Sequence, residues 1–387
     1  MPPVPHDILR DPVGSLPEEW DALCASWSER PFRARQVFRW IQTRSVADAA
    51  GMTDVSRGLR DRLAAMGLAM PAHIDRANRA TDGTRKLLIG FPVGGTVESV
   101  LIPPMPDDDD DDEDEEVAEA GPRAPAKRVT QCISTQVGCA MGCVFCASGV
   151  AGLKRHLTAG EIVAQVLLGR TLLEEGEALR NVVLMGMGEP LHNYDAVARA
   201  LRLLTHHDGI GLSTRRVTVS TSGLVPEIER LGADFRGEVA LAVSLHAPDD
   251  DLRSSLMPVN KRYPLGELMP ALRRYPLARR RRITIEYTLI AGVNDRPAHA
   301  RGLAKLLRGV PAKVNLIPLN PVEGNAWRAP QRADVEAFQT ILRADGYSAF
   351  IRRTRGDDID AACGQLALHG AAAVKRKLPV FAGAGEA

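Results

Sequence analysis

Three closely spaced cysteines are the residues of this chain best suited to chemistry. Cys139, Cys143 and Cys146 lie in the run Cys-Ala-Met-Gly-Cys-Val-Phe-Cys, which has the spacing C-x3-C-x2-C and an aromatic residue just before the third thiol. A [4Fe-4S] cluster normally takes four protein ligands, so three thiolates leave one iron open. An open metal position is where a metal site performs a reaction. The spacing therefore predicts a catalytic iron–sulfur cluster.

A structural zinc site with Cys132 as the fourth ligand is the alternative for this segment. Structural zinc ligands usually come as close pairs, whereas Cys132 lies well before Cys139 in the chain. The cluster is therefore the favoured interpretation. Radical S-adenosylmethionine (SAM) enzymes use this three-cysteine arrangement. In them SAM binds the open iron, and an electron from the cluster cleaves it to methionine and a 5′-deoxyadenosyl radical.

The composition is that of an ordinary globular protein without a membrane span. The 387 residues suffice for one large α/β domain and a smaller one; 45% of them are hydrophobic and 25% are charged. We find no apolar run long enough to cross a bilayer and no secretory signal. Four of the six cysteines lie within 132–146, unlike a secreted disulfide framework. We therefore expect a protein of the reducing cytoplasm.

Charge is distributed unevenly along the chain. Residues 107–116 are all acidic, and removing these ten charges takes the formal net charge from +1 to +11. The basic residues cluster in short runs at 215–216, 279–282, 352–353 and 375–377. Phosphate contacts supply most of the non-specific affinity of proteins for nucleic acids, so this excess favours an RNA or DNA partner.

Accessory segments surround one large α/β region. Residues 1–80 are expected to form a small helical accessory domain, because apolar residues recur at helical spacing across 17–70. Residues 84–103 are typical of a β-hairpin that joins this domain to the core. The acidic segment 104–128 is expected to be a disordered insertion, and 376–387 a C-terminal tail.

Residues 129–375 alternate between β-branched runs and amphipathic stretches. The predicted strands are at 131–136, 181–186, 216–222, 239–246, 283–290, 313–319 and 348–354. The predicted helices are near 159–176, 195–205, 225–232, 265–275, 296–308 and 331–345. Repeated strand–helix units imply a parallel sheet. Because the strands are fewer than the eight of a complete barrel, the predicted fold class is α/β, with an open, partial parallel β/α barrel.

Small or polar residues follow several predicted strands, where packing alone does not demand them. The chemistry of barrel folds lies at the carboxyl ends of the strands, so we expect one ligand pocket that faces the cysteine loop. Glu189, in a glycine turn that lets a ligand approach the backbone, suits the amino group of SAM. The candidates for binding the rest of SAM are Ser220, Ser244, His246 and Asn320.

Cys363 is a further candidate because it lies in a polar loop after the last predicted strand. The flanking Gly356, Asp357 and Gly364 argue for a loop at the barrel mouth rather than for core. A thiol in such a loop can act as a nucleophile. The alternative is a buried apolar cysteine, which is common in proteins.

Several separate motifs resemble the RlmN/Cfr family of radical SAM adenine methyltransferases. They are Gln-Val-Gly-Cys-Ala-Met-Gly-Cys-Val-Phe-Cys, Gly-Met-Gly-Glu-Pro-Leu, Ser-Leu-His and Gly-Asp-Asp-Ile-Asp-Ala-Ala-Cys-Gly-Gln-Leu. The similarity runs from about Pro31 to Lys377, interrupted by the acidic insertion. Agreement of several motifs in order makes the resemblance specific.

The resemblance implies a mechanism that consumes two molecules of SAM per turnover. One SAM methylates Cys363, and the radical from the second removes hydrogen from that S-methyl group. The carbon radical then adds to an adenine ring carbon and forms a protein–RNA crosslink. Cys132 matches the cysteine that resolves the crosslink through a disulfide with Cys363, and Glu98 matches the proton acceptor. The same match assigns SAM binding to Gly188, Glu189, Ser220, Ser244, Leu245, His246 and Asn320.

Within the family, the RlmN branch is favoured by the Gly-Asp-Asp-Ile-Asp segment and by the Gln-Val-Gly-Cys start. It implies C2 methylation of an adenosine in 23S rRNA and of the adenosine 3′ of the tRNA anticodon, with a monomeric enzyme and a reducing electron donor such as flavodoxin. The alternative is the Cfr branch, which methylates C8 of the same rRNA adenosine. A remote alternative is a non-catalytic RNA-binding protein with a structural metal, which would have no use for Cys363.

Overall fold

The computed structural model describes residues 7–104, 127–320, 327–362 and 364–366. The acidic run 107–116, Cys363 and the tail 376–387 lie outside the described residues, so their predicted roles stay predictions. Within the described ranges, none of the helices combines the length and the apolar composition that crossing a bilayer requires.

Helices and strands alternate along most of the described chain. The helices are α1 Pro17–Ser26, α2 Phe32–Gln42, α3 Arg57–Ala65, α4 Ala147–Ala151, α5 Ala159–Arg170, α6 Tyr194–Thr205, α7 Val225–Phe235, α8 Asp250–Leu256, α9 Leu265–Arg274, α10 Pro297–Leu306 and α11 Arg332–Ala344. The strands are β1 His73–Arg79, β2 Arg85–Gly90, β3 Thr96–Ile102, β4 Lys127–Cys132, β5 Gln136–Val137, β6 Arg155–His156, β7 Glu177–Leu184, β8 Val217–Thr221, β9 Ala240–Ser244, β10 Ile283–Leu289, β11 Ala312–Pro318 and β12 Ser348–Ile351.

The chain divides into two compact units, of which the first comprises 1–134, 157–183 and 195–217. Its strand order is β1-β2-β3-β4-β7. The first four strands are antiparallel neighbours, and β4 and β7 are parallel. Helices α1 and α2 contact each other. Their buried residues recur at helical spacing, which is why this segment folds as helices with one apolar face.

The second unit comprises 135–156, 184–194 and 218–387, with the strand order β8-β9-β10-β11-β12 and parallel pairing throughout. Helices α7, α9, α10 and α11 supply the crossovers that parallel pairing requires. The register sets Ser220 opposite Ala242, Ser244 opposite Glu286, and Glu286 opposite Asn315. Because side chains alternate along a strand, these small and polar residues share one face of the sheet.

Most predicted elements are present, and the predicted α/β class with parallel strands and N-terminal helices is confirmed. The helices predicted across 17–70 are α1 to α3, the hairpin is β2 and β3, and the strands predicted from 216 onward are β8 to β12. Strand β1 was not predicted, because its residues are mostly exposed and have no apolar alternation. Helices α4 and α8 were also missed, since both are too short to show helical periodicity.

Candidate active site

The three cysteines lie in the second unit, on the loop between β5 and α4. The Cys139 N–H donates to the Gly152 carbonyl (3.2 Å), and the Cys146 N–H donates to the Cys143 carbonyl (3.2 Å). Gly138 has φ +77°, and a Cβ there would lie 1.8 Å from the Gly152 carbonyl oxygen. Only glycine fits this position, so Gly138 lets the loop close on itself.

The thiols of this loop are poor acids in the bare protein. Burial raises the pKa of all three, and it raises that of Cys139 to about 12. Neighbouring thiols raise the pKa of Cys139 and Cys143 further, because thiolates repel one another. The thiolate is the metal ligand, so these residues fit a cationic group that ionises them together.

The arrangement of potential ligands bears on the kind of metal group. Among the described residues, no group of three or more His, Cys, Asp or Glu side chains is arranged to hold a metal ion. A [4Fe-4S] cube does not require such a site, since each of its thiolates binds a different iron.

The residues that directly follow Cys363 are held against the helix that follows Cys146. The Ala147 N–H donates to the Gly364 carbonyl (3.0 Å). The buried Ser148 hydroxyl donates to the Leu366 carbonyl (2.6 Å). Cys363 itself lies outside the described residues, but these two bonds fix its next neighbours at the first turn of α4.

Glu189 is a buried carboxylate whose two oxygens accept backbone hydrogen bonds. Oε2 accepts from the Ser222 N–H (2.7 Å) and Oε1 from the Leu191 N–H (3.1 Å), while the Glu189 N–H donates to Gln136 Oε1 (2.9 Å). Gly188 has φ +106°, and a Cβ there would lie 2.7 Å from Gln136 Cβ. Burial raises the pKa of Glu189, and hydrogen bonds from the Ser222 N–H, from the Thr221 and Ser222 side chains and from the Leu191 N–H oppose this shift. An ionised carboxylate only accepts hydrogen bonds, so Glu189 suits an ammonium donor.

His246 follows β9 with a left-handed backbone, φ +58°, and is buried. Its Nδ1 accepts from the Thr288 N–H (2.9 Å), and the Asn294 amide donates to the carbonyls of His246 (2.8 Å) and Thr288 (2.7 Å). Burial and then the charge of Arg253 lower the pKa of His246 to about 3. The ring is therefore neutral, with its proton on Nε2. The Phe145 ring lies 4.8 Å away, centroid to centroid, which sets this donor beside the cysteine loop.

Arg253, on α8, ties together the carboxyl ends of β8 and β9. Its side chain is fully buried. The guanidinium donates to the carbonyls of Ser222 (2.6 Å), Ser244 (3.1 Å) and Leu245 (3.2 Å), and to Asn260 Oδ1 (2.7 Å). Burial lowers the pKa of Arg253 to about 10. The bonds fix the backbone of two predicted SAM-binding residues, Ser244 and Leu245.

The remaining predicted SAM-binding residues lie at the ends of parallel strands. Ser220 and Ser244 are half-buried on the same sheet face. Asn320 is buried and comes two residues after β11. Leu319, next to it, packs in one apolar cluster with Phe145 of the cysteine loop. The end of β11 therefore meets the loop that carries the three thiols.

Glu98 and Cys132 lie on neighbouring strands of the first unit. The register pairs Val100 of β3 with Cys132 of β4, and the Ser134 hydroxyl donates to the Glu98 carbonyl (2.7 Å). Glu98 lies two residues before Val100, so the side chains of Glu98 and Cys132 share a face as diagonal neighbours. Both are buried. The structure thus brings together the two residues that the resemblance assigns to crosslink resolution.

Comparison with known proteins identifies the family. The radical SAM superfamily model matches residues 133–301, and the model of the ribosomal RNA large subunit methyltransferase N-terminal domain matches 15–68. The dual-specificity RNA methyltransferase RlmN of Sorangium cellulosum is 62% identical over 374 residues, which are 93% of this chain and 96% of the relative. The probable dual-specificity RNA methyltransferase RlmN of Moorella thermoacetica is 47% identical, with 91% and 96% covered. The chain belongs to the RlmN family.

A solved structure supports the same family. The crystal structure of a radical SAM methyltransferase from Sphaerobacter thermophilus superposes with a TM-score of 0.82 at 46% identity, covering 92% of this chain and 98% of the other. The predicted radical SAM fold is confirmed. As a member of the RlmN family, the chain is a SAM-dependent RNA methyltransferase of the radical SAM class, with a [4Fe-4S] cluster and SAM as cofactors.

Two residues that support this RlmN-family site were missed in the sequence. Gln136 lies beside the cysteine motif, and this proximity was a signal, but its bond to the Glu189 N–H depends on the meeting of two loops. Arg253 lies in a seven-residue helix among Asp and Ser residues. That context is typical of an exposed side chain, so no sequence signal separates Arg253 from a surface arginine.

Proposed function

We propose that the protein methylates C2 of one adenosine in 23S rRNA and of the adenosine 3′ of the anticodon in tRNA. The observation that carries this proposal is the pair of hydrogen bonds from Ala147 and Ser148 to Gly364 and Leu366. They hold the chain directly after Cys363 against the helix that begins after the third cluster cysteine. The name of these relatives, dual-specificity RNA methyltransferase, supports two kinds of RNA substrate.

Cys139, Cys143 and Cys146 are proposed to hold the cluster. When bound, the cluster and SAM supply the 5′-deoxyadenosyl radical. Glu189 accepts hydrogen bonds from the amino group of SAM. Gly188, whose missing side chain leaves room for Gln136, is proposed to lie beside the ligand. His246 donates from Nε2, which its neutral tautomer makes available. The other proposed SAM-binding residues are Ser220, Ser244, Leu245 and Asn320.

Cys363 is proposed to carry the transferred carbon as an S-methyl group and to form the crosslink to RNA. Glu98 accepts the proton from C2, and Cys132 forms a disulfide with Cys363 to release the methylated base. The shared face of Glu98 and Cys132 supports this division of roles. The route is needed because C2 of adenine is electrophilic and cannot attack the methyl group of SAM. A carbon radical held on a fixed thioether avoids that barrier when the base is oriented beside it.

The cellular setting of the reaction follows from its chemistry. A reducing donor such as flavodoxin is proposed to supply the electron, and the enzyme is proposed to act as a monomer in the cytoplasm. Free thiols and a cluster with an open iron both require reducing surroundings.

Mass spectrometry of nucleosides from 23S rRNA and tRNA, in cells with and without the gene, tests the proposal. We expect 2-methyladenosine in both RNAs only when the gene is present. Appearance of 8-methyladenosine would instead indicate the Cfr type of reaction, and unchanged nucleosides would refute both.

The covalent route has its own test. Cys363→Ala should assemble the cluster but transfer no methyl group. Cys24→Ala, at a buried cysteine of α1 without a proposed role, is the matched control and should retain activity. Normal methylation by Cys363→Ala would contradict the covalent route.

A further inference from the structure

Lys86 and Glu98 form an ion pair inside the first unit. Lys86 Nζ lies 3.3 Å from Glu98 Oε1, and the two side chains are only 8% and 5% exposed. Lys86 of β2 is opposite Val100 of β3, which is in turn opposite Cys132 of β4. Lys86, Glu98 and Cys132 therefore occupy one face of three neighbouring antiparallel strands.

The ammonium group of Lys86 determines whether the buried carboxyl group of Glu98 is ionised or neutral. Burial alone favours the neutral form of a carboxylic acid, whereas an adjacent ammonium favours the ionised form. Only the ionised form can accept a proton. A carboxyl group with 5% of its side chain exposed therefore needs a cation such as Lys86 to remain a base.

We propose that Lys86 is the positioning residue for Glu98 in crosslink resolution, an inference that rests on the proposed function. Lys86 keeps the carboxylate ionised and aimed along the face that it shares with Cys132. When the C2 proton passes to Glu98, the electron pair of the broken C–H bond stays with the purine and Glu98 becomes a neutral acid. The unpaired electron of the radical adduct would return to the cluster that the cleavage of SAM leaves oxidised, so that the crosslink is closed-shell before it is resolved.

The same transfer prepares the thiol of Cys132. Loss of the Glu98 charge makes this face more positive by one unit, and a positive neighbour favours a thiolate over a thiol. The Cys132 thiol gives up its proton to solvent, and the thiolate then attacks the sulfur of Cys363 and forms the S–S bond. The C–S electron pair goes to the RNA methylene carbon, which takes up a proton and becomes the methyl group. Lys86 thus links proton acceptance by Glu98 to the attack by Cys132.

A matched control lies on the other face of the same strand. Arg85 Nη2 lies 2.7 Å from Glu177 Oε2, with side chains 9% and 6% exposed. Because Arg85 and Lys86 are consecutive in β2, their side chains point to opposite faces. Arg85→Met removes an ion pair of similar burial without touching the face of Glu98.

The experiment follows the covalent protein–RNA crosslink through a single turnover of the cluster-loaded enzyme. Lys86→Met should accumulate the crosslink and resolve it about a hundredfold more slowly, as expected on losing a general base. Lys86→Arg keeps the charge and should resolve it near the wild-type rate, as should Arg85→Met. Equal loss in Lys86→Arg and Lys86→Met, or equal slowing by Arg85→Met, would overturn the role of the Lys86 charge.

Failure of this inference is distinguishable from failure of the proposed function. If Glu98→Gln accumulates the crosslink while Lys86→Met resolves it normally, Lys86 has no part in the step and the proposed function stands. If Glu98→Gln methylates normally, the proton acceptor itself is wrongly assigned.

Infrared difference spectra provide a readout that does not depend on turnover. A protonated carboxyl band should appear in Lys86→Met and be absent from the Lys86→Met, Glu98→Gln double variant; its absence from both would contradict the inference.

Discussion

Replacing Arg253 by Met should loosen the ends of β8 and β9 and thereby the SAM site. The guanidinium makes four hydrogen bonds, to oxygen atoms of Ser222, Ser244, Leu245 and Asn260. A hydrogen bond to a charged group contributes about 1.5–3 kcal/mol. Removing the buried charge also removes its desolvation penalty of several kcal/mol. Met fills much of the space that the aliphatic part of the Arg253 side chain occupies. We therefore expect the free energy of unfolding to fall by about 3–5 kcal/mol, the difference between the hydrogen bonds lost and the desolvation cost recovered.

The same substitution should weaken SAM binding. The Ser222 N–H donates to Glu189, and Ser244 and Leu245 lead directly into His246, so displaced strand ends misplace several groups at once. We expect at least about a tenfold loss of affinity, which is roughly 1.4 kcal/mol. Arg253→Lys should lose affinity similarly, because one ammonium cannot replace a planar fork of donors.

Denaturant unfolding and equilibrium dialysis of SAM against the cluster-loaded enzyme measure the two effects. Arg332→Met is the control, because Arg332 is an exposed residue paired with Glu336 on α11. Neither quantity should change in it, since exposed ion pairs contribute little. An Arg253→Met enzyme that unfolds at the wild-type midpoint and binds SAM with wild-type affinity would refute the reasoning.

Two further predictions concern the cysteine loop and His246. Gly138→Ala should lower the iron content after anaerobic reconstitution, because its Cβ meets the Gly152 carbonyl. Gly152→Ala is the control: Gly152 also has a positive φ, +72°, but no atom lies within 4 Å of its Cβ, so this variant has the backbone strain without the steric clash. Equal iron content in the two variants would contradict this prediction. The pKa of His246 is about 3 in the fold against 6.5 as a reference, so its contribution to stability is complete above pH 6.5 and is lost as the pH falls towards 3. His246→Asn, which keeps an acceptor but does not titrate, should reduce the difference between the denaturation midpoints at pH 7 and pH 5; a difference as large as that of the wild type would argue against a buried neutral imidazole.

The parallel strands of the second unit could be predicted closely because they are short apolar runs that alternate with amphipathic helices. Such strands stand out from the amphipathic helices between them, so β8 to β12 were predicted to within a few residues. Strand β1 shows the limit of this approach. It is held by pairing with β2 rather than by apolar burial, and pairing leaves no mark on local composition.

The sequence by itself determined the chemistry: the spacing of Cys139, Cys143 and Cys146, and the motifs that accompany it, are properties of neighbours along the chain. Tertiary structure alone decided which groups support that chemistry. The Lys86–Glu98 ion pair depends on the register of β2 and β3, and the bonds of Arg253 depend on α8 packing beneath two strand ends. The turn between β2 and β3 sets their register locally. Packing of the whole core decides that the Lys86–Glu98 pair is buried and that α8 lies at two strand ends, so no local pattern of residue types specifies these contacts.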